Sequence, residues 1–225
     1  MAGMYLPPSP SRVAGLVLAA GAGSRYGMPK ALVHDGAGRS WLQRAVDVLA
    51  EAGCSPVIVV LGARGAEAAA LLEAGPDDPT GAPARGADRL PASVLVVQAA
   101  DWAEGLSASL RAGLRCAIEQ PNLTAIAVIP VDVPDLNAAT VARMVGTNFG
   151  TTAAPGATVL SASTLRQARF AGQPGHPVVI GRQHWTPLLD TLAGDTGARP
   201  YLREHPVEQI ECGDLGTGVD VDRPH

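Results

Sequence analysis

Apolar runs and amphipathic segments alternate along the first two thirds of the chain. The apolar runs are typical of strands buried on both faces and cover residues 12 to 20, 56 to 62, 93 to 98 and 125 to 132. Between and after them, apolar positions recur with helical spacing over residues 40 to 53, 66 to 75, 107 to 120 and 137 to 145. This alternation predicts an α/β protein with a Rossmann-like, doubly wound and mostly parallel sheet.

The last third of the chain has a less regular pattern. It predicts further strands over residues 157 to 161, 176 to 181, 207 to 212 and 218 to 222, and helices over residues 184 to 194 and 197 to 205. Because strands and helices no longer alternate here, we expect this part to add an antiparallel edge to the sheet. It would then form the second side of a cleft.

Length and composition favour one domain. The 225 residues are 47% hydrophobic, and we predict a single domain over residues 12 to 225 that follows a flexible tail at residues 1 to 11. Residues 75 to 92 are rich in Pro, Gly and Asp, which indicates a surface excursion. The first residues lack the apolar core of a signal peptide, and no stretch is long enough to span a bilayer. We therefore expect a cytoplasmic location.

Charge and cysteine content exclude several classes of partner. The formal net charge of −4 argues against nucleic acid and anionic membranes, which require a basic surface. A small anionic substrate requires only a local positive field. The three cysteines, Cys54, Cys116 and Cys212, have no metal-site spacing and are expected to be reduced thiols.

A candidate for that local field follows the first predicted strand, in VLAAGAGSRYGMPKAL at residues 17 to 32. Gly21, Gly23 and Gly27 leave backbone amides open to a ligand, and Arg25 and Lys30 add positive charge. The glycine spacing differs from GxGxxG, and the P-loop pattern is absent. The stretch therefore predicts a polyphosphate cradle, with a glycine-rich turn bearing surface cations as the alternative.

The same stretch resembles the LAAGxGxRxGxxK signature of the MobA-like nucleotidyltransferases. The resemblance implies the nucleotide-diphospho-sugar transferase type of Rossmann-like fold. It also implies transfer of a nucleoside monophosphate from an NTP to a phosphorylated acceptor, with release of pyrophosphate. By this resemblance Arg25 neutralises the β- and γ-phosphates and Lys30 contacts the phosphate under attack, so both are candidate catalytic residues. The nucleotide would lie along Leu18, Ala19, Ala20, Gly21, Ala22 and Gly23.

A candidate metal site begins with Asp132, just past the fourth apolar run in IPVDVPDL. A strand end is a rigid place for a carboxylate, and Mg²⁺ prefers a few carboxylates plus phosphate oxygens. Asp132 resembles the family's DxP metal aspartate, which also makes it a candidate catalytic residue; an ordinary turn residue is the alternative. The late segment GVDVDRP resembles the family's DxDxP segment. The resemblance implies Asp220 as the second metal ligand, with Asp222 as the alternate. The alternative is that this segment is a solvated tail without a metal. Asp135 is expected to cap the following helix.

Further nucleotide contacts are implied by the resemblance at Gly105 and Ser109, in a GxxxS stretch near the base and ribose, and at Gly62, which ends the second strand. Serines before a helix are also ordinary N-caps, so Ser107 and Ser109 have two open interpretations.

Two later segments resemble the molybdenum cofactor cytidylyltransferase branch: GQPGHPVVIG at residues 172 to 181 and GDTGARPYL at residues 194 to 202. LAAG followed by Pro29 and Lys30 agrees with that branch. The resemblance implies CTP as the favoured NTP, molybdopterin as the acceptor, and His176 and Arg199 as acceptor-binding residues. A packed loop histidine and an arginine paired with a carboxylate are the respective alternatives.

Three other functions stay open on the sequence alone. The acceptor could be another phosphorylated small molecule, such as phospholactate or a sugar or polyol phosphate. A nucleotide-binding regulator without turnover is a second alternative, although it would not need Arg25, Lys30 and Asp132 together. A nicotinamide-dependent oxidoreductase is the most distant. A molybdoenzyme or chaperone that receives or delivers an unstable cofactor is an open partner class.

Overall fold

One seven-stranded sheet organises the computed structural model, which describes residues 12–73, 93–146 and 160–223. The strands are β1 (Arg12–Ala19), β2 (Val57–Leu61), β3 (Val94–Gln98), β4 (Leu123–Pro130), β5 (Leu165–Phe170), β6 (Gln173–Gly181) and β7 (Glu208–Glu211). Their order is β3-β2-β1-β4-β6-β5-β7. The first four strands are parallel, β6 is antiparallel to both β4 and β5, and β7 is parallel to β5. The predicted mostly parallel sheet with an antiparallel part is confirmed.

Helices cover both faces of this sheet. They are α1 (Trp41–Glu51), α2 (Gly65–Glu73), α3 (Leu106–Glu119), α4 (Ala138–Val145), α5 (Trp185–Thr191) and α6 (Arg199–Glu204). Alternate residues of β1 enter two separate cores: Val17 packs in the core that includes α1 and α4, and Leu16 in the core that includes α3 and α5. Burial on both faces explains why β1 reads as a continuous apolar run rather than as an alternating one. Among the described helices, none has the length and apolar character needed to cross a membrane.

Local signals place several element ends where the sequence predicts them. The Ser40 side chain caps α1 by accepting hydrogen bonds from the amides of Leu42 and Gln43 at 3.2 and 3.4 Å. Gly53 follows that helix with a φ of +91°, a conformation that favours glycine. The predicted cap and stop of α1 are therefore confirmed.

Three predicted features differ from the structure. Asp135 does not cap α4; Asn137 does, and Asp135 instead accepts hydrogen bonds from the Thr217 amide and hydroxyl at 2.6 and 2.5 Å. Residues 218 to 222 form no strand. Strand β5 is not predicted, because Arg166 interrupts its apolar pattern. The Arg166 side chain is nevertheless buried, and its guanidinium forms a salt bridge with Glu208 at 2.7 Å.

Other predictions fall outside the described residues. These are the flexible tail at residues 1 to 11, the excursion at residues 75 to 92, and most of the strand at 157 to 161. The single domain over residues 12 to 225 stays a prediction. The three cysteines are free thiols.

The segment after β7 is tied to the carboxyl end of β4. The Asn137 side chain donates to the Leu215 carbonyl at 2.6 Å, and Asp135 accepts from Thr217. The Val221 amide donates to the Asp132 carbonyl at 2.9 Å. These contacts bring Asp220 and Asp222, which lie far along the chain, next to Asp132.

Replacing Asn137 tests this anchor. We expect Asn137→Ala to lower the free energy of unfolding by about 1 to 2 kcal/mol, because α4 loses its cap and the Leu215 carbonyl loses its donor. Asn137→Asp keeps a capping oxygen but not the donor, so its loss should be smaller. Urea denaturation measures both. An alanine variant as stable as the wild type would show that this anchor is not needed.

Candidate functional site

Two adjoining cavities open at the carboxyl edge of the parallel strands. The first, which we call the loop cavity, has a volume of about 550 Å³ and is lined by the glycine-rich loop after β1. The second, the sheet cavity, has about 580 Å³ and lies against β4, β5 and β6. Leu18, Leu106 and Arg199 line both cavities, so a ligand in one would lie beside a ligand in the other.

The glycine-rich loop is closed by its own backbone. The amides of Tyr26 and Gly27 both donate to the Gly23 carbonyl at 2.9 Å. Gly23 has a φ of +63°, and a side chain there would overlap the Met28 carbonyl. The tight turn therefore requires glycine at this position, and it brings Arg25 and Lys30 to the rim of the loop cavity.

Two cations and two carboxylates meet at that rim. The Lys30 Nζ atom lies 2.6 Å from Asp132 Oδ2 and 2.9 Å from Asp222 Oδ1, and Arg25 Nη1 lies 3.0 Å from Asp222 Oδ2. The Lys30 and Asp132 side chains are 14% and 18% exposed, so their pair is screened less than the exposed Arg25 pair. Lys30 is also the only lysine in the sequence.

The pKa of Lys30 reflects opposing effects. Burial of the ammonium lowers its pKa, but hydrogen bonds and charges from Asp132 and Asp222 outweigh burial and raise the pKa above its usual value. Its hydrogen bond and its charge likewise lower the pKa of Asp222. Lys30 is therefore fully protonated at neutral pH and Asp222 is ionised.

Asp220 precedes Val221, whose amide bonds to the Asp132 carbonyl, and it lines the sheet cavity. Burial is the largest cause that raises the pKa of Asp220, and the negative charge of Asp132 raises that pKa further. A shared cation would relieve that repulsion. Within residues 12–73, 93–146 and 160–223, no group of three or more His, Cys, Asp or Glu side chains is arranged for a metal. Two carboxylates beside the predicted phosphate site still suit Mg²⁺, which commonly takes one or two protein carboxylates plus phosphate oxygens.

His176 and Arg199 both line the sheet cavity. The Nδ1 atom of His176 is buried without a hydrogen-bond partner, and burial lowers the pKa of the ring, so the imidazole is neutral at pH 7. Arg199 forms no ion pair with any described residue. The structure thus leaves its guanidinium available where the two cavities meet.

Other residues predicted to bind nucleotide do not contribute to the lining of either cavity. Ala20, Ala22, Gly62, Gly105 and Ser109 line neither cavity. A side chain at Gly62 would meet the Ala20 carbonyl and Trp102 at 2.6 Å, which explains the glycine by packing. The interpretation of Ser107 and Ser109 as helix caps is wrong, because Gly105 is the N-cap of α3 and no side chain of its own caps it.

Sequence reasoning did not single out Asp195 and Tyr26, which also line the loop cavity. Asp195 accepts a hydrogen bond from the Leu106 amide at 3.0 Å and so caps α3 from a distant loop. The available signal for Asp195 was its place in GDTGAR, between two glycines that both have positive φ. Only the fold shows which helix that loop meets.

Comparisons with known proteins identify the family of this chain. The family model for the MobA-like NTP transferase domain matches residues 15–210. The nicotine blue oxidoreductase of Paenarthrobacter nicotinovorans is 32% identical over 213 residues, which cover 93% of this chain and 92% of that protein.

Solved structures agree with the predicted fold. Rv0371c of Mycobacterium tuberculosis is 28% identical and superposes with a TM-score of 0.65, covering 96% of this chain and 94% of that one. A structure of the same protein in complex with manganese is 27% identical, with a TM-score of 0.60 and 94% of each chain covered. The Rossmann-like α/β fold is thereby confirmed.

The pKa shifts of Asp220 and Asp222 predict opposite effects of neutralising each one. A raised pKa means that the ionised Asp220 opposes folding, so Asp220→Asn should increase stability at neutral pH. A lowered pKa means that ionised Asp222 favours folding, so Asp222→Asn should decrease it. Both differences should shrink as the pH falls through the range where aspartate protonates.

Thermal unfolding from neutral to acidic pH measures both differences. Two variants that change the melting temperature in the same direction at neutral pH would contradict these electrostatics.

Proposed function

The chain belongs to the MobA-like NTP transferase family, a family of nucleotidyltransferase enzymes, and on that premise we propose that it transfers CMP from CTP to molybdopterin. The observation that carries the proposal is the pairing of Lys30 and Arg25 with the carboxylates of Asp132 and Asp222 beside a cavity of about 550 Å³. This arrangement holds cations ready where phosphate oxygens would replace carboxylate oxygens as their partners.

Charge balance supports a metal-dependent reaction. The loop cavity is lined by three permanent cations, Arg25, Lys30 and Arg199, and by three carboxylates, Asp132, Asp195 and Asp222. A triphosphate would leave this cavity with excess negative charge. A divalent cation on Asp132 and Asp220, for which we propose Mg²⁺, would offset that charge and orient the phosphate oxygens. The manganese complex of Rv0371c agrees with a divalent metal in this fold.

The proposed reaction needs positioning rather than a general base. An acceptor phosphate oxygen attacks the α-phosphorus, the bond from that phosphorus to the pyrophosphate oxygen breaks, and pyrophosphate leaves with the electron pair. Lys30 would stabilise the charge on the attacked phosphate, and Arg25 the charge on the departing pyrophosphate. Arg199, which lines both cavities, would hold the acceptor phosphate near the α-phosphorus.

The sheet cavity supports an acceptor of considerable size. Its volume of about 580 Å³ is similar to that of the loop cavity, and its wall combines aliphatic side chains with polar and charged ones. Gln167 and Gln209 are register partners on β5 and β7 and both face this cavity. A three-carbon acceptor such as phospholactate would leave most of that surface uncovered. Molybdopterin, with its planar ring system, would contact both the aliphatic side chains of the wall and the two amides.

One specific observation favours a second candidate function. The relative that is 32% identical over 93% of this chain is named an oxidoreductase. By analogy, the loop cavity would bind the diphosphate of a nicotinamide nucleotide, and the sheet cavity would hold an organic acceptor of the hydride. This candidate requires neither Mg²⁺ nor pyrophosphate release, so the two functions are separable by experiment.

Ligand-dependent thermal stabilisation tests the proposal. With Mg²⁺, CTP at about 100 times its dissociation constant should stabilise the fold by about 2.7 kcal/mol, and more than GTP, ATP or UTP at the same concentration. Asp132→Ala should lose the Mg²⁺ dependence and lower pyrophosphate release with molybdopterin by about a hundredfold or more. Asp190→Asn, which changes an exposed carboxylate on α5 outside both cavities, is the matched control.

The other outcomes separate the candidates. Stabilisation by NADH or NADPH instead of any NTP, with turnover of an oxidised dye, would replace the transferase proposal by the oxidoreductase one. Stabilisation by GTP alone would keep the reaction and remove the cytidylyl assignment.

A further inference from the structure

Asp195 is an exposed carboxylate in the wall of the loop cavity. Its Oδ1 atom accepts from the Leu106 amide at 3.0 Å. The adjoining loop is fixed to the same helix start: the Ser107 hydroxyl donates to the Ala193 carbonyl at 3.0 Å and the Ser107 amide to the Gly194 carbonyl at 3.0 Å. The Gly197 amide donates to the Ser107 hydroxyl at 3.2 Å. Asp195 is therefore positioned independently of any ligand.

Gly105 provides the room for this carboxylate. A side chain at residue 105 would overlap Asp195 Oδ1 and would come within 3.0 Å of its Cγ atom. Gly105 also has a φ of +114°, which other residues rarely adopt. Glycine at position 105 is therefore explained by the position of Asp195, although Gly105 itself lines neither cavity.

The second carboxylate oxygen has no partner in the described part of the chain. Asp195 forms no ion pair there, and its Oδ2 atom takes part in no hydrogen bond. An ionised carboxylate only accepts hydrogen bonds. A phosphate cannot satisfy it, because both groups are negatively charged. Asp195 is exposed, so water satisfies this oxygen in the free protein, and an uncharged ligand group that replaces the water must present hydrogen-bond donors.

A nucleotide has few such donors. The triphosphate end of the loop cavity is marked by Arg25, Lys30 and Asp132, whereas Asp195 belongs to the wall built from α3 and the loop before α6. The ribose joins triphosphate to base, and its two hydroxyls are neighbouring donors that a carboxylate is suited to accept. A carboxylate on the ribose hydroxyls is also how dinucleotide-binding folds recognise that sugar.

We propose that Asp195 binds the ribose hydroxyls of the NTP and makes the enzyme select ribonucleotides over deoxyribonucleotides. This inference rests on the proposed function in requiring a nucleotide in the loop cavity. It gives Asp195 two roles, one for each oxygen: Oδ1 caps α3 and Oδ2 accepts from the sugar.

Two variants separate these roles. Asp195→Asn keeps an oxygen that caps α3 but replaces the accepting charged oxygen by an amide, whereas Asp195→Ala removes both. Asp190→Asn is the control for charge alone. The measurement is the dissociation constant of CTP and of 2′-deoxy-CTP with Mg²⁺, by calorimetry, together with the melting temperature of each ligand-free variant.

The wild type and the Asp190→Asn control should bind CTP about tenfold or more tightly than 2′-deoxy-CTP, as expected for a hydrogen bond to a charged group. In Asp195→Asn the ratio should fall to about threefold or less with an unchanged melting temperature. In Asp195→Ala the ratio should fall equally and the melting temperature should decrease, because the cap is lost.

An unchanged ratio in Asp195→Asn would overturn the inference and leave Asp195 as a helix cap only. A changed preference between CTP and UTP, with the sugar ratio intact, would also overturn it, since the carboxylate would then contact the base. If no NTP binds the wild type, the proposed function fails and the inference fails with it. If CTP binds but the ratio of the two dissociation constants is the same in Asp195→Asn as in the wild type, only the inference about Asp195 fails and the proposed function stands.

Discussion

The salt bridge between Lys30 and Asp132 joins the parts of the molecule on which the site depends. At 2.6 Å and largely shielded from water, it links the loop after β1 to the carboxyl end of β4. The second bond of Lys30, to Asp222 at 2.9 Å, adds the segment after β7. Three stretches far apart in the chain therefore meet at one ammonium group. Each is held by its own backbone contacts, so the ammonium position is determined by the fold rather than by the flexible lysine side chain.

The Lys30 ammonium group also shows how the proposed phosphate site would work. A cation buried without a partner would be costly, and its pKa would fall. Carboxylates keep Lys30 charged, yet they also occupy the positions that phosphate oxygens would take. In the proposed function, nucleotide binding would exchange one anionic partner of Lys30 for another, which would cost less than stripping water from a bare ammonium. Asp132 would then lose its cationic partner near Asp220, whose pKa is raised mainly by burial and further by repulsion from the Asp132 carboxylate. That repulsion is the physical reason for expecting a divalent metal.

The sequence predicts the parallel part of the fold well because β1, β2 and β4 are buried on both faces and read as plain apolar runs. It also predicts Arg25, Lys30 and Asp132 as a group, because strand ends of a parallel sheet meet at one edge. It fails where distant contacts decide the structure. The salt bridge of the buried Arg166 allows a charged residue inside β5, so that strand does not read as an apolar run. Asp135 accepts a hydrogen bond from Thr217 instead of capping α4. Asp195 caps a helix that begins 89 residues earlier in the chain, and no local pattern encodes that pairing.

Lys30 offers the most direct test of the central claim, which is that this ammonium exchanges carboxylate for nucleotide phosphate. As the only lysine in the sequence, it can be methylated reductively with isotope-labelled formaldehyde, which keeps its charge and labels one side chain besides the chain terminus. The account predicts that CTP with Mg²⁺ shifts the Lys30 methyl signal in NMR spectra, and that the shift saturates along the same curve as nucleotide binding. A Lys30 signal that does not move while CTP binds and stabilises the protein would contradict it.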